Sequence, residues 1–130
     1  MPDSVNVIEN GAFRNCAALE SVSLGEKSAL QSIGVCAFMN CTALKSFKAC
    51  EALESIGTEA FKGCAALTDV QISTNVQSIS NYAFKDTPNL VIIVYYFAKG
   101  EESQWLNSAG LAPYWNTDNN EVEFVFVEKA

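Results

Sequence analysis

The sequence predicts an α/β protein built as a solenoid: short coils stacked on one another with a parallel sheet along one side. The first observation is a frame that recurs four times, made of an aliphatic residue, three positions, Ala-Phe, two positions, Cys or Thr, two positions, and Leu. It reads Ile8, Ala12-Phe13, Cys16, Leu19; then Ile33, Ala37-Phe38, Cys41, Leu44; then Ile56, Ala60-Phe61, Cys64, Leu67; then Ile79, Ala83-Phe84, Thr87, Leu90. The Ala-Phe pairs begin at 12, 37, 60 and 83, giving steps of 25, 23 and 23 residues, the period of a stacked-coil repeat. The second observation is a period-two alternation after each Leu. The third is composition: hydrophobic residues make up 49% and charged ones 18% of 130 residues, enough to bury the core of one domain spanning 1–130.

The strands come from the stretch L-x-x-φ-x-φ, where φ is apolar: Leu19 with Val22 and Leu24, Leu44 with Phe47 and Ala49, Leu67 with Val70 and Ile72, Leu90 with Ile93 and Tyr95. Alternation of this kind marks a strand with one buried face. The intervening positions then face outward, and they are Ser21 and Ser23, Ser46 and Lys48, Asp69 and Gln71, Ile92 and Val94. The return half of each coil carries the Ala-Phe pair. A segment such as 58–64 is too short for a full helix and suits one helical or 3₁₀ turn. Alanine fits where backbone meets backbone, and Phe13, Phe38, Phe61 and Phe84 are expected to stack as a ladder between the layers. Val5, Leu30, Leu53 and Val76 complete the lining, which makes eight inward positions per coil. Each large apolar side chain contributes about 1.5 to 3 kcal/mol on burial, most of it offset by chain entropy. The first repeat is two residues longer, and the surplus fits the polar corner 25–29.

Five cysteines, at 16, 36, 41, 50 and 64, ordinarily suggest disulfides or zinc. The count is odd, no pair has the two-residue gap of a zinc knuckle, and there is no histidine. Cys16, Cys41 and Cys64 hold the same slot of successive repeats, with Thr87 in the fourth, so they read as small buried core residues. Parallel side-chain directions argue against bridges along this column. Cys36 and Cys50 fall outside it, and either is open to solvent or structural.

The combination I-x-x-x-A-F-x-x-C-x-x-L-x-x-I-x-I at 23-residue spacing resembles the BspA-like, Treponema pallidum-type, leucine-rich repeat. The likeness covers residues 5 to about 95. It implies a right-handed solenoid with its parallel sheet on the concave face. It also implies surface-exposed or secreted proteins of bacteria and some protozoa, several of them adhesins or binders of host proteins. The proline that usually follows the strand in this family is absent, with Gly25, Cys50 and Ser73 near its place.

A solenoid needs its end faces covered. At the C-terminal side the period breaks after Phe97, residues 101–106 suit a short helix, and 121–128 reads as a strand. These, with Trp105, Leu111, Tyr114 and Trp115, are expected to form a cap over about 96–130. At the N-terminal side Val5 already belongs to a repeat. Either the chain is a fragment of a longer array, or the open face of the first coil meets another molecule.

Chemistry is sparse. No histidine, phosphate loop, nucleophile elbow or metal-ligand cluster is present, so catalysis, a metal and a cofactor are not expected. Residues 116–121 have the look of a calcium loop but lack glycine at its sixth position and glutamate at its twelfth, so they read as a connecting loop. A net charge of −7 with singly scattered basic residues disfavours nucleic acid. No apolar run approaches the roughly 20 residues of a membrane span, and the first residues lack the basic and apolar regions of an export signal. The expected role is a non-enzymatic scaffold that binds a protein through its sheet. By resemblance that protein is a host matrix or surface protein and the location is the cell surface or outside the cell. Ile92, Val94 and Tyr96 would form an apolar strip beside Ser21, Ser23, Ser46, Lys48, Asp69 and Gln71. The alternatives are a spacer with no ligand of its own and an element that self-associates end to end through the first repeat.

Overall fold

A computed structural model describes residues 2–96, 105, 110–111 and 123–128. Its strands fall into two parallel sheets that run the length of a stack. The short-strand sheet holds β1 (Val7–Ile8), β3 (Ser32–Ile33), β5 (Ser55–Ile56), β7 (Ser78–Ile79) and β9 (Gly110–Leu111), in that order. The long-strand sheet holds β2 (Ser21–Ser23), β4 (Ser46–Lys48), β6 (Asp69–Ser73), β8 (Val91–Tyr96) and β10 (Glu123–Glu128). Each coil contributes one strand to each sheet, as expected of repeats that bury their apolar face only against their neighbours.

Register follows the repeat. Val7, Ser32, Ser55 and Ser78 are aligned across the short-strand sheet, with Ile8, Ile33, Ile56 and Ile79 beside them pointing inward. Behind these isoleucines the coils approach closely. A Cβ added to Gly57 would lie 2.8 Å from the carbonyl carbon of Gly34, so the backbone contact there requires a residue without a side chain.

The expected helical or 3₁₀ return is not what forms in the first four coils. Every second N–H of coils one to three donates to the next coil, as Gly11, Phe13 and Asn15 do to the carbonyls of Val35, Ala37 and Met39, at 2.8–2.9 Å. The N–H groups between them close four-residue turns within the coil, as Ala12 does to Glu9 and Arg14 to Gly11. A continuous helix would have used all of these donors internally. Splitting them between turn and neighbour requires left-handed residues before each Ala and before each Cys or Thr. These are Gly11 and Asn15, Cys36 and Asn40, Glu59 and Gly63, Tyr82 and Asp86, with φ between 57° and 77°.

The aromatic ladder forms as expected. Phe13, Phe38, Phe61 and Phe84 stack in sequence with centroids 5.2 Å apart and planes within 5–7° of parallel. The Cys column is buried at Cys41 and Cys64, and their thiols donate at 3.0 Å to the carbonyls of Phe13 and Phe38 in the preceding coil. Burial pushes the Cys41 thiol up and the Cys64 thiol up to about 12, which keeps both protonated. All five cysteines are free thiols. Cys50 is buried and donates to the Leu30 carbonyl at 3.3 Å, whereas Cys36 is half-buried.

The C-terminal segment continues the stack in the plane of both sheets instead of lying across its end. β9 pairs with β7 and β10 with β8, in parallel, with Ile79 opposite Leu111 and Tyr95 opposite Val127. Both offsets are 32 residues (111 − 79 and 127 − 95), so this is a fifth and longer coil. Trp105 is buried, donates from Nε1 to the Val76 carbonyl at 2.7 Å and meets Phe124 and Phe126 edge-on. Tyr114, Trp115 and the loop 116–121 lie outside the described residues.

Candidate protein-binding face

The outward side of the long-strand sheet collects most of the residues singled out from the sequence. Strand pairing sets Ser21, Ser46, Asp69 and Val91 in one row and Ser23, Lys48, Gln71, Ile93 and Val125 in the next. Ser21, Ser23 and Lys48 are exposed, and Ser46, Asp69 and Gln71 are half-buried, all on the side predicted for them.

Ile92 and Val94 are a correction. Both point into the core and have no solvent exposure, aligned with Val70 and Ile72. The cause is one missing residue. Leu67 is followed by Thr68 and Asp69 before the inward Val70, but Leu90 is followed by Val91 alone before the inward Ile92. A slip of one position turns every side chain of a strand to the opposite face. The outward residues of β8 are therefore Val91, Ile93 and Tyr95, all half-buried. Tyr96 ends β8 opposite Glu128, and its side chain lies outside what the structure describes.

β10 adds to this surface. Phe124 and Phe126 turn inward, while Val125 and Val127 face out, 37% and 38% exposed, next to Ile93 and Tyr95. The face thus changes along the stack from serine and lysine at coils one and two to valine, isoleucine and tyrosine at coils four and five. A polar relay marks the boundary: Tyr95 Oη donates to Gln71 Oε1 at 3.0 Å, and Gln71 Nε2 donates to Asp69 Oδ2 at 3.3 Å. Asp69 Oδ1 is shielded from solvent and has no hydrogen-bond partner.

Sequence reasoning set Val91 beside the apolar strip but missed Ile93, Tyr95, Val125 and Val127. Period two carries no parity where both faces are apolar, as in 90–95 and 124–127. The short L-x-φ spacing after Leu90 is the signal that distinguishes the faces, and it is visible only against the pairing. A shallow groove of about 290 Å³ opens beyond the ends of β2 and β4, between the Gly25-Glu26 and Cys50-Glu51 corners, with Lys48 at its wall. Among the described residues no group of three or more His, Cys, Asp or Glu is placed to hold a metal, and no helix is long and apolar enough to cross a membrane.

Two parallel sheets built from short coils with leucine, isoleucine and phenylalanine columns define a leucine-rich-repeat solenoid. The chain belongs to the BspA type leucine rich repeat region family, whose six-copy model matches residues 1–99. A leucine-rich repeat protein of Bacteroides ovatus is similar over 93% of this chain, with 24% identity and a TM-score of 0.69. This chain spans 28% of that protein's length. A leucine-rich repeat protein of Treponema pallidum is 22% identical over 92% of this chain and 66% of its own, with a TM-score of 0.47. Among curated proteins none matches.

Proposed function

We propose that this chain is a non-enzymatic scaffold that binds a protein through the outward side of the long-strand sheet, as the concave face of a right-handed solenoid. The observation that carries this reading is the cluster of Val91, Ile93, Tyr95, Val125 and Val127 on a sheet face that is otherwise polar. Apolar groups gathered on one side of a rigid surface mark interaction sites, and the polar relay beside them supplies orientation. Ser21, Ser23, Ser46, Lys48, Asp69 and Gln71 form the rim toward coil one, and the buried, unpartnered Asp69 Oδ1 favours a partner that brings a hydrogen-bond donor to the boundary.

A role in adhesion or host interaction, at the cell surface or outside the cell, is the finer form of the proposal. Its support is the membership of a family whose resemblance carries that expectation. The test is binding of the purified chain to immobilised extracellular-matrix proteins, compared with a variant carrying Ile93→Lys and Val125→Lys. Saturable binding that the double variant loses while keeping its circular dichroism supports the reading. Binding that survives the double substitution contradicts the assigned face, and absence of binding to every matrix protein contradicts the adhesion role.

A further inference from the structure

Asn10 and Gly11 together hold the backbone of Val35 in the next coil. Val35 N–H donates to Asn10 Oδ1 at 2.8 Å, and Gly11 N–H donates to the Val35 carbonyl at 2.9 Å. The Asn10 side chain thereby takes the part of a backbone acceptor between the two coils. It lies close against coil two, since a Cβ added to Gly34 would come within 2.6 Å of Asn10 Oδ1. Gly11 has φ of 68°, and a Cβ there would meet nothing within 4 Å.

Asn-Gly is also the dipeptide in which asparagine is chemically least durable. The backbone nitrogen of the following residue attacks the side-chain carbonyl carbon, and glycine puts no side chain in the way. Asn10 is the only asparagine of the sequence followed by glycine. Asn81 holds the same slot of coil four, two residues after Ile79 as Asn10 is after Ile8, and Tyr82 beyond it has φ of 59°. The two sites share a left-handed backbone and differ in the side chain beside the attacking nitrogen.

We propose that Asn10-Gly11 is a deamidation site and that its contact with Val35 gates the reaction. The Gly11 nitrogen forms a bond to Asn10 Cγ, the Cγ–Nδ2 bond breaks, and Nδ2 leaves as ammonia with the proton lost from the Gly11 amide. Water then opens the five-membered imide at either carbonyl, leaving aspartate or isoaspartate at position 10. The first step needs the Gly11 nitrogen without its proton. In the folded chain that proton is donated to the Val35 carbonyl, while Val35 N–H fixes the side-chain carbonyl under attack. The reaction therefore runs through molecules in which coil one has lifted from coil two at this point, a local opening that costs less than global unfolding. Aspartate keeps an oxygen to which Val35 N–H can donate. Isoaspartate routes the main chain through Cβ, one atom longer, and puts Gly11, Phe13 and Asn15 out of step with Val35, Ala37 and Met39. This site lies apart from the sheet face assigned to protein binding, and either can fail alone.

The test is incubation of the full chain at mildly alkaline pH, folded and in concentrated urea, with peptide mapping for aspartate and isoaspartate. In urea residue 10 is expected to convert before any other asparagine. In the folded chain its conversion should be at least roughly tenfold slower, the equivalent of an opening cost of about 1.4 kcal/mol. Val35→Pro removes the N–H that holds Asn10 Oδ1 and should restore most of that factor in the folded chain, with the rate in urea unchanged. Equal rates folded and unfolded, another asparagine converting first in urea, or a folded Val35→Pro no faster than the unsubstituted chain would overturn the proposal. Should that variant not fold, exchange of the Gly11 amide in the unsubstituted chain decides. Conversion that rises with Gly11 exchange as urea is added below the unfolding transition supports the gate, and conversion that stays flat while exchange rises refutes it.

Discussion

The rings of Phe38 and Phe61 lie 5.2 Å apart and within 7° of parallel, and Phe47 meets both edge-on at 5.5 and 5.1 Å. Phe47 comes from the long-strand sheet, so this wedge ties the face proposed for binding to the return side of two coils. Rigidity of that face is a consequence of core packing, because side chains so enclosed have few alternative rotamers.

Truncating the ladder should cost most where it is enclosed. Phe61→Ala is expected to destabilise by about 3 to 5 kcal/mol, the range for a fully buried phenylalanine. Phe13→Ala should cost clearly less, since Phe13 is half-buried and stacks on one side only. Urea denaturation of the two variants measures the difference, and equal losses would contradict the unequal burial.

The left-handed positions predict a stabilising change. Cys36 holds φ at 57°, a conformation that glycine adopts without steric penalty. Cys36→Gly should raise stability by about 0.5 to 1 kcal/mol, the strain relieved less the entropy glycine loses. The β-branched Cys36→Val should lower it. Thermal melts of both variants check the sign, and destabilisation by glycine would show that the thiol contributes packing that outweighs the strain.

Alkaline pH should act through the Cys64 thiol. Burial raises it from 9.0 to about 12, so between these values the unfolded chain has lost a proton that the native chain keeps. Stability from this group is complete below pH 9 and falls as pH climbs toward 12, by up to about 4 kcal/mol. Cys64→Ala removes this group's contribution to the slope while lowering stability at neutral pH. Denaturation midpoints at pH 8 and 10.5, compared between the two proteins, measure it, and parallel slopes would contradict the assignment.

Much of the architecture was legible because each slot of the repeat performs one physical task. Ala37, Ala60 and Ala83 are where the turns pack, and Cys41, Cys64 and Thr87 are small groups that donate to a Phe carbonyl, with all six buried. The return turns were not legible, because the division of N–H groups between turn and neighbour depends on the adjacent coil. Glu59 and Tyr82 give no local sign of a left-handed backbone. The outward side of the long-strand sheet was legible at Ser46, Lys48, Asp69 and Gln71, where polar and apolar residues alternate. It was misread at Ile92 and Val94, where both parities are apolar and the missing residue after Leu90 sets the register.

That register is the central claim, because it decides which side chains a partner meets. The most direct measurement is the denaturation midpoint of Ile92→Lys against that of Ile93→Lys, two adjacent substitutions of the same chemistry. Lysine at 92 would be buried without a partner and should cost about 3 kcal/mol or more. Lysine at 93 faces outward and should cost under about 1 kcal/mol while abolishing partner binding. The reverse order of stabilities would place Ile92 outside and Ile93 within, and would contradict the account.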